Sequence, residues 1–179
     1  MRHGSWPTIK QFPSIDDELK SVEREVRRLQ TIRASHSDRP RYGLHEIAVL
    51  LPTAKAVERA RSFFGHRGFR TNAPELTARD IEASLLIEDH LNITNLQKVR
   101  GLEFKVVFMC QLQALPPYFD PQKDTQQDEE EKLIQRSRWL YVGMTRAREM
   151  LHLSYQNPPT TEPQSLLQSL DGQRSNAIA

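Results

Sequence analysis

Cysteine is almost missing from this sequence. Cys110 stands alone among 179 residues, which excludes an intramolecular disulfide and any cysteine-rich zinc site. It lies in the apolar run Val106-Val107-Phe108-Met109-Cys110, where a buried core thiol is expected rather than a nucleophile. Glycine is scarce as well, with seven residues. None of them belongs to a Gly-x-x-x-x-Gly-Lys-Ser/Thr loop, the backbone cradle that holds nucleotide phosphates. The acidic run Asp128-Glu129-Glu130-Glu131 does not follow an apolar strand, so it does not have the setting of a magnesium-holding carboxylate. It suits the start of a helix, where acids complement the macrodipole. A chain without either element is not expected to hydrolyse a nucleoside triphosphate by itself.

Long hydrophobic runs are also lacking. The weakly polar stretch Val106 to Phe119 is short and broken by Pro116-Pro117, and Met1 to Trp6 has no apolar signal core. A soluble, cytoplasmic protein without a membrane partner is expected. The formal charge is only +2, so any nucleic-acid contact has to come from a local patch. One candidate is Arg59, Arg61, His66, Arg67 and Arg70, which reads equally well as a solvated helix face or a phosphate-tracking surface. The histidines at 3, 36, 45, 66, 90 and 152 are scattered, no metal cluster or nucleophile triad is visible, and no metal site is expected.

What is present is a regular alternation of strands and helices. The length suits one ordinary domain. Thr8 to Phe12 alternates like a short strand. Ile15, Leu19, Val22, Val26 and Leu29 recur at helical spacing behind the capping residue Ser14, predicting a helix from about Ser14 to Arg33. Glu46 to Leu51 is a near-continuous apolar run ended by Pro52, the pattern of a buried parallel strand. A helix with Val57, Ala60 and Phe64 on one face follows, stopped by Gly65 and Gly68. Further expectations are a short strand at Phe69-Arg70-Thr71, a helix from Thr77 to His90, and strands at Asn92 to Leu96 and Lys105 to Leu112. An irregular loop then runs to about Asp128. The longest helix is expected from Glu129 to Arg148, with Leu133, Leu140, Tyr141 and Met144 facing inward, and the last strand from Met150 to Tyr155. Such alternation predicts an α/β domain with a parallel sheet covered on both faces. Residues 1–43 would lead into a domain at 44–156, and 157–179 would be a tail with a weak helix near Leu166.

Two segments carry candidate chemistry. In Ile93 to Phe108 a strand, a polar turn and a second strand follow one another, with Gly101 permitting a tight bend and Glu103 offered from it. A carboxylate there can accept from a ribose or a backbone amide; taken alone, a structural turn explains the segment better. In Trp139 to Arg148, Thr145 and Arg146 are polar positions among residues that suit a core. An arginine so placed can bring a fixed planar charge to a phosphate on a neighbouring domain, or simply bond the carbonyls at a helix end.

Together and in this order, Val99-Arg100-Gly101-Leu102-Glu103-Phe104-Lys105-Val106-Val107-Phe108 and Leu140-Tyr141-Val142-Gly143-Met144-Thr145-Arg146-Ala147-Arg148 resemble motifs V (about 93–108) and VI (about 139–148) of UvrD/Rep/PcrA-like superfamily 1 DNA helicases. Ile47 to Leu51 with its helix and Gly68-Phe69 also resembles the opening of the C-terminal motor domain of that family. The resemblance covers roughly Leu44 to Gln156. It implies a three-layer RecA-like domain of the P-loop NTPase type, with a mostly parallel sheet and helices on both faces. It also implies half of an ATP-driven 3′-to-5′ DNA translocase, with ATP bound between two such domains. Arg146 matches the arginine that reaches the γ-phosphate, and is the implied catalytic residue. Glu103 matches the glutamate near the ribose, and Gly101 shapes its loop. Asn95, Gln97, Lys98 and Arg100 fall on the single-stranded DNA path. Magnesium would be held by the first RecA-like motor domain, supplied in cis or in trans.

The sequence departs from the family at several points. Arg100 stands where lysine is common, Gln97 where histidine is usual, and Gln135-Arg136-Ser137-Arg138 where two acids precede two arginines. Only about twenty residues, 72–91, stand where large members insert a helical subdomain. The alternative to a motor half is a stand-alone, non-catalytic module that uses the fold to bind DNA or a protein.

Overall fold

Five apolar residues in a row leave no polar face to show to water, and the strand they form, β2 (Ile47–Leu51), is buried along its whole length. A computed structural model describes residues 6–35, 38–72, 90–99, 101–115, 122–123 and 125–156. Its sheet holds β1 (Thr8–Phe12), β2, β3 (Arg70–Thr71), β4 (His90–Asn95), β5 (Phe104–Met109) and β6 (Ala147–Gln156) in the order β1-β6-β5-β2-β4-β3. Every pairing is parallel. The expected α/β class with a parallel sheet is therefore what forms. The lead-in segment supplies the edge strand, since β1 pairs with β6 from Thr8↔His152 to Phe12↔Gln156.

Period-two alternation sorts the strand residues onto two faces. Ile47, Val49 and Leu51 of β2 and Val106, Phe108 and Cys110 of the β5 segment face one core, together with helices α1 (Ile15–Thr31) and α2 (Ala54–Gly65). Ala48 and Leu50, with Val107 and Met109, face the other, together with Leu151, Leu153 and helix α3 (Gln126–Met144). Helices thus lie on both faces of the sheet.

The helices start where side chains can satisfy their orphan amides. Ser14 Oγ accepts from the Asp17 amide at 3.1 Å, and Thr53 Oγ1 accepts from Ala56 at 3.2 Å. α3 begins earlier than its acidic run predicts, because Thr125 and Asp128 form a reciprocal capping box. It also ends earlier than Arg148. The Thr145 and Arg146 amides turn back to the Tyr141 and Gly143 carbonyls at 3.0 and 3.1 Å, closing the helix, and Ala147 then pairs with Phe104.

The inward face expected for α3 is also corrected. Leu140 and Gly143 are its buried residues, whereas Leu133 is 40% and Tyr141 69% exposed. The helix meets the sheet through its C-terminal end, so apolar residues farther along or around it have no sheet beneath them. The predicted helix from Thr77 to His90 and the tail lie outside the described residues, apart from His90, which opens β4.

Among the described residues several polar groups are buried, Asn92 and Glu18 most deeply. Glu18 on α1 is 0% exposed. Its Oε1 accepts from the Gln111 amide at 2.9 Å and from Ser154 Oγ at 2.5 Å, satisfying a backbone donor at the left-handed position (φ 57) that follows β5. Burial is the main cause that raises its pKa above 4.5. Burial also pushes the neighbouring Cys110 thiol well upward, so it is an inert core group.

Candidate functional site

The two sequence motifs meet at the N-terminal ends of β5 and β6. Phe104 and Ala147 are Cα partners there, and a register shift follows before Val106 and Met150 pair. Such an irregularity bends a strand and re-aims its side chains. Phe104 consequently joins the α3-side core although Val106, two residues on, faces the other side.

The approach to this end is a tight turn. The Leu102 amide donates to the Val99 carbonyl at 3.2 Å, and Gly101 adopts φ +81, a region that L side chains avoid. The glycine is required by backbone shape and not by crowding, since a Cβ there would meet nothing within 4 Å. Buried Leu102 anchors the turn, and Glu103 stands exposed on its rim.

Arg146 closes the arrangement from the other motif. Its Nε donates to the Val142 carbonyl at 3.1 Å, one terminal nitrogen donates to the Leu102 carbonyl at 3.1 Å, and the other to Thr145 Oγ1 at 3.1 Å. In return its own carbonyl accepts from the Phe104 amide at 2.9 Å. The guanidinium is half-buried and spans the helix end and the glycine turn. Part of this is the structural role open to any arginine at a helix C-terminus, capping a free carbonyl. The bond to Leu102 goes further, because it fixes the charge beside the turn that displays Glu103. On the same rim, Arg148 Nε lies 3.7 Å from Glu103 Oε2, with both side chains more than 60% exposed.

This rim suits part of a nucleotide site: a planar cation with five donors, three of them used within the chain, beside a solvent-facing carboxylate on an uncrowded glycine turn. It does not suit a metal. Among the described residues no group of three or more His, Cys, Asp or Glu side chains is placed to hold one.

Asn95 does not share this rim. Asn95 pairs with Leu51 at the C-terminal end of the sheet, so it lies about a strand length away, roughly 20 Å for six residues. Its side chain is largely spent on structure: Oδ1 accepts from the Gln97 amide at 2.7 Å, and Nδ2 donates to the Pro52 carbonyl at 3.4 Å. Gln97 and Lys98 are exposed on the 3-10 turn Leu96–Lys98 that Asn95 caps. Arg100 lies outside the described residues.

The basic stretch on α2 resolves toward its structural reading. Arg59 pairs with Asp16 at 2.9 Å, Arg61 donates to the Ile93 carbonyl at 2.9 Å, and Arg67 pairs with Glu23 at 2.9 Å while stacking 3.6 Å over the Phe63 ring. These cations brace α1, α2 and β4. A groove of about 580 Å³ runs instead along α3, lined by Glu131, Ile134, Gln135, Arg138, Trp139 and Val142. One of its lining residues is Val142, whose carbonyl accepts from Arg146.

Sequence reasoning passed over Gly143. A Cβ on it would lie 2.4 Å from Met109 Cε and 2.6 Å from Leu96 Cδ2. The available signal was a glycine inside a helix, which costs about 0.5–1 kcal/mol relative to alanine and so implies a packing reason. Among the described residues no helix is long and apolar enough to cross a membrane.

Residues 71–158 match the model of the UvrD-like helicase C-terminal domain family, a span that includes both motifs. Seventeen chains of solved structures match. One is the C-terminal domain of a possible DNA helicase from Lactobacillus plantarum WCFS1, 16% identical, with a TM-score of 0.54 over 87% of this chain and 76% of that one. At that identity the likeness establishes the shared fold. No curated protein matches the sequence.

Proposed function

Because this chain carries a UvrD-like helicase C-terminal domain, we propose that it serves as the second RecA-like motor domain of an ATP-dependent DNA helicase or translocase. Arg146 is its arginine finger, Glu103 accepts from the ribose, and Gly101 gives the turn its shape. Gln97 and Lys98, with Asn95 holding their turn, follow single-stranded DNA, and Arg100 is assigned to the same path from the sequence. The observation that carries this reading is the bond from Arg146 to the Leu102 carbonyl, which puts the guanidinium and the Glu103 turn on one open rim.

The chemistry follows from charge. The γ-phosphoryl group gathers negative charge over its oxygens during transfer, and a pre-placed guanidinium stabilises that charge without reorganisation. ATP with magnesium supplies the free energy when bound, and the magnesium belongs to the first motor domain. Arg146 keeps its charge at every relevant pH and bonds in a fixed plane, two properties that lysine does not share. It reaches a phosphate through guanidinium N–H donors beyond the three bonded to Val142, Leu102 and Thr145. The chain alone does not turn over ATP, since it contains no phosphate-cradling loop. Phosphate contacts by Lys98 and its neighbours are independent of DNA sequence and weaken with salt.

Arg146→Ala in the two-domain motor tests the assignment. Loss of ATP turnover by about 10³-fold or more, with nucleotide binding largely kept, is the expected result. Turnover within a few-fold of wild type removes the finger from Arg146 and favours the non-catalytic binding module, in which the arginine only caps α3.

A further inference from the structure

The register shift between β5 and β6 is a bulge on β6. Phe104 pairs with Ala147 and Val106 with Met150, so two residues, Arg148 and Glu149, stand opposite Lys105 alone. An extra residue interrupts the ladder and lets neighbouring side chains leave the strand in directions that regular pairing does not offer. Glu149 turns toward the lead-in segment, where its Oε2 accepts from Tyr42 Oη at 3.2 Å and from the Arg41 guanidinium at 3.3 Å. Arg148 turns to the rim, with its Nε 3.7 Å from Glu103 Oε2. The glycine turn is thus held by two arginines of one motif. Arg146 donates to the Leu102 carbonyl, and Arg148 faces the carboxylate of the next residue.

A pair this exposed contributes little to folding, because water and salt screen it. What it changes is the freedom of Glu103. An exposed glutamate on a turn samples many rotamers and loses them when it accepts from a ligand hydroxyl. A guanidinium on Oε2 narrows that sampling in advance and leaves the other oxygen to the ligand. We propose that Arg148 is a positioning residue for nucleotide binding, aimed by the bulge at Glu103 so that this carboxylate meets the ribose hydroxyls already ordered. The inference rests on the reading of Glu103 as the ribose acceptor and adds the residue that sets its geometry. Arg148 acts on binding, equally in the ground and transition states, and the chemical step does not depend on it.

The test measures steady-state turnover by the two-domain motor with ATP and with 2′,3′-dideoxy-ATP, which lacks both ribose hydroxyls. Wild type is expected to show the higher KM for the dideoxy nucleotide, and Glu103→Ala to bring the two KM values together. Arg148→Ala is expected to raise KM for ATP about threefold, to change KM for the dideoxy nucleotide little, and to leave kcat and the melting temperature at their wild-type values. Arg148→Lys keeps the charge without the planar fork and recovers part of the affinity. In the Glu103→Ala background, Arg148→Ala has no further effect on either KM, as expected of a residue that acts through another. Arg148→Gln, which removes the charge and keeps most of the side-chain length, carries the test if Arg148→Ala does not fold.

An unchanged KM for ATP in Arg148→Ala overturns the proposal. So does a fall in kcat, or an equal rise of KM for both nucleotides, either of which puts Arg148 on the phosphates instead of behind Glu103. If Glu103→Ala leaves both KM values at their wild-type levels, the ribose reading fails first and the role of Arg148 with it, a result the Glu103 variant shows by itself.

Discussion

The two faces of the sheet are built differently. On one, α1 and α2 cover β2, β4, β5 and β6 with apolar side chains from Leu19 to Phe64, many of them fully buried, and the nearby arginines are consumed in bracing. On the other, α3 reaches the sheet only at its C-terminal end and leaves Ile134 and Tyr141 53% and 69% exposed. Both candidate motifs belong to this second side or to its rim. The closed face carries most of the fully buried apolar side chains, and the open face carries the residues proposed for chemistry. Mutations should separate accordingly, with large stability effects on the first and functional effects without stability loss on the second.

Phe64→Ala should produce the largest change in stability. The ring is fully buried and meets Phe63 and Phe69 edge to face at 5.3 and 5.4 Å, so truncation should cost about 3–5 kcal/mol. Denaturant unfolding measures it. A loss under about 1 kcal/mol would mean that the closed face is not the stabilising one, and the comparison breaks.

Glu18→Gln sharpens the comparison, because it tests the one buried carboxylate on the closed face among the described residues. With its folded pKa raised above 4.5 by burial, the group favours folding fully below pH 4.5. That contribution is lost as pH rises through the folded value, where burial of a charge opposes folding. Wild type should therefore lose up to about 1.4 kcal/mol per pH unit inside this window relative to the glutamine variant. His152, stacked on Phe108 at 4.6 Å, has a pKa lowered from 6.5 by desolvation and works in the opposite sense, losing stability as pH falls below 6.5. It is common to both proteins and cancels in the difference. Parallel stability curves for the two proteins from pH 4 to 8 would show that Glu18 is not the titrating group.

Much of the closed face was legible in the sequence because its signals are local. The run Ile47 to Leu51 and the spacing from Leu19 to Leu29 each state burial within a few residues. The open face was harder for a physical reason. Leu133, Leu140, Tyr141 and Met144 have helical spacing, but whether a helix face is covered depends on what stands opposite, and only Leu140 of the four is fully buried. In the same way, Arg146 and Glu103 were visible as residue types, whereas the bond to Leu102 and the crowding at Gly143 depend on residues far away in the chain. The family resemblance puts Asn95 on the single-stranded DNA path. The capping of the Gln97 amide by Asn95 was not foreseen, because a short 3-10 turn has no periodicity to announce it.

The smallest effect is expected at Tyr141, and it probes the comparison most directly. A tyrosine on the inner side of α3 would cost several kcal/mol on truncation, as buried aromatic residues do, by about 3–5 kcal/mol. At 69% exposure there is little packing to lose, and Tyr141→Ser should stay within about 0.5 kcal/mol of wild type. An exposed aromatic residue one position before Val142, which lines the groove along α3, then adds little to the stability of this domain. A measured loss above about 2 kcal/mol would mean that α3 is covered along more of its length in solution, and the face carrying the motifs would no longer be the open one.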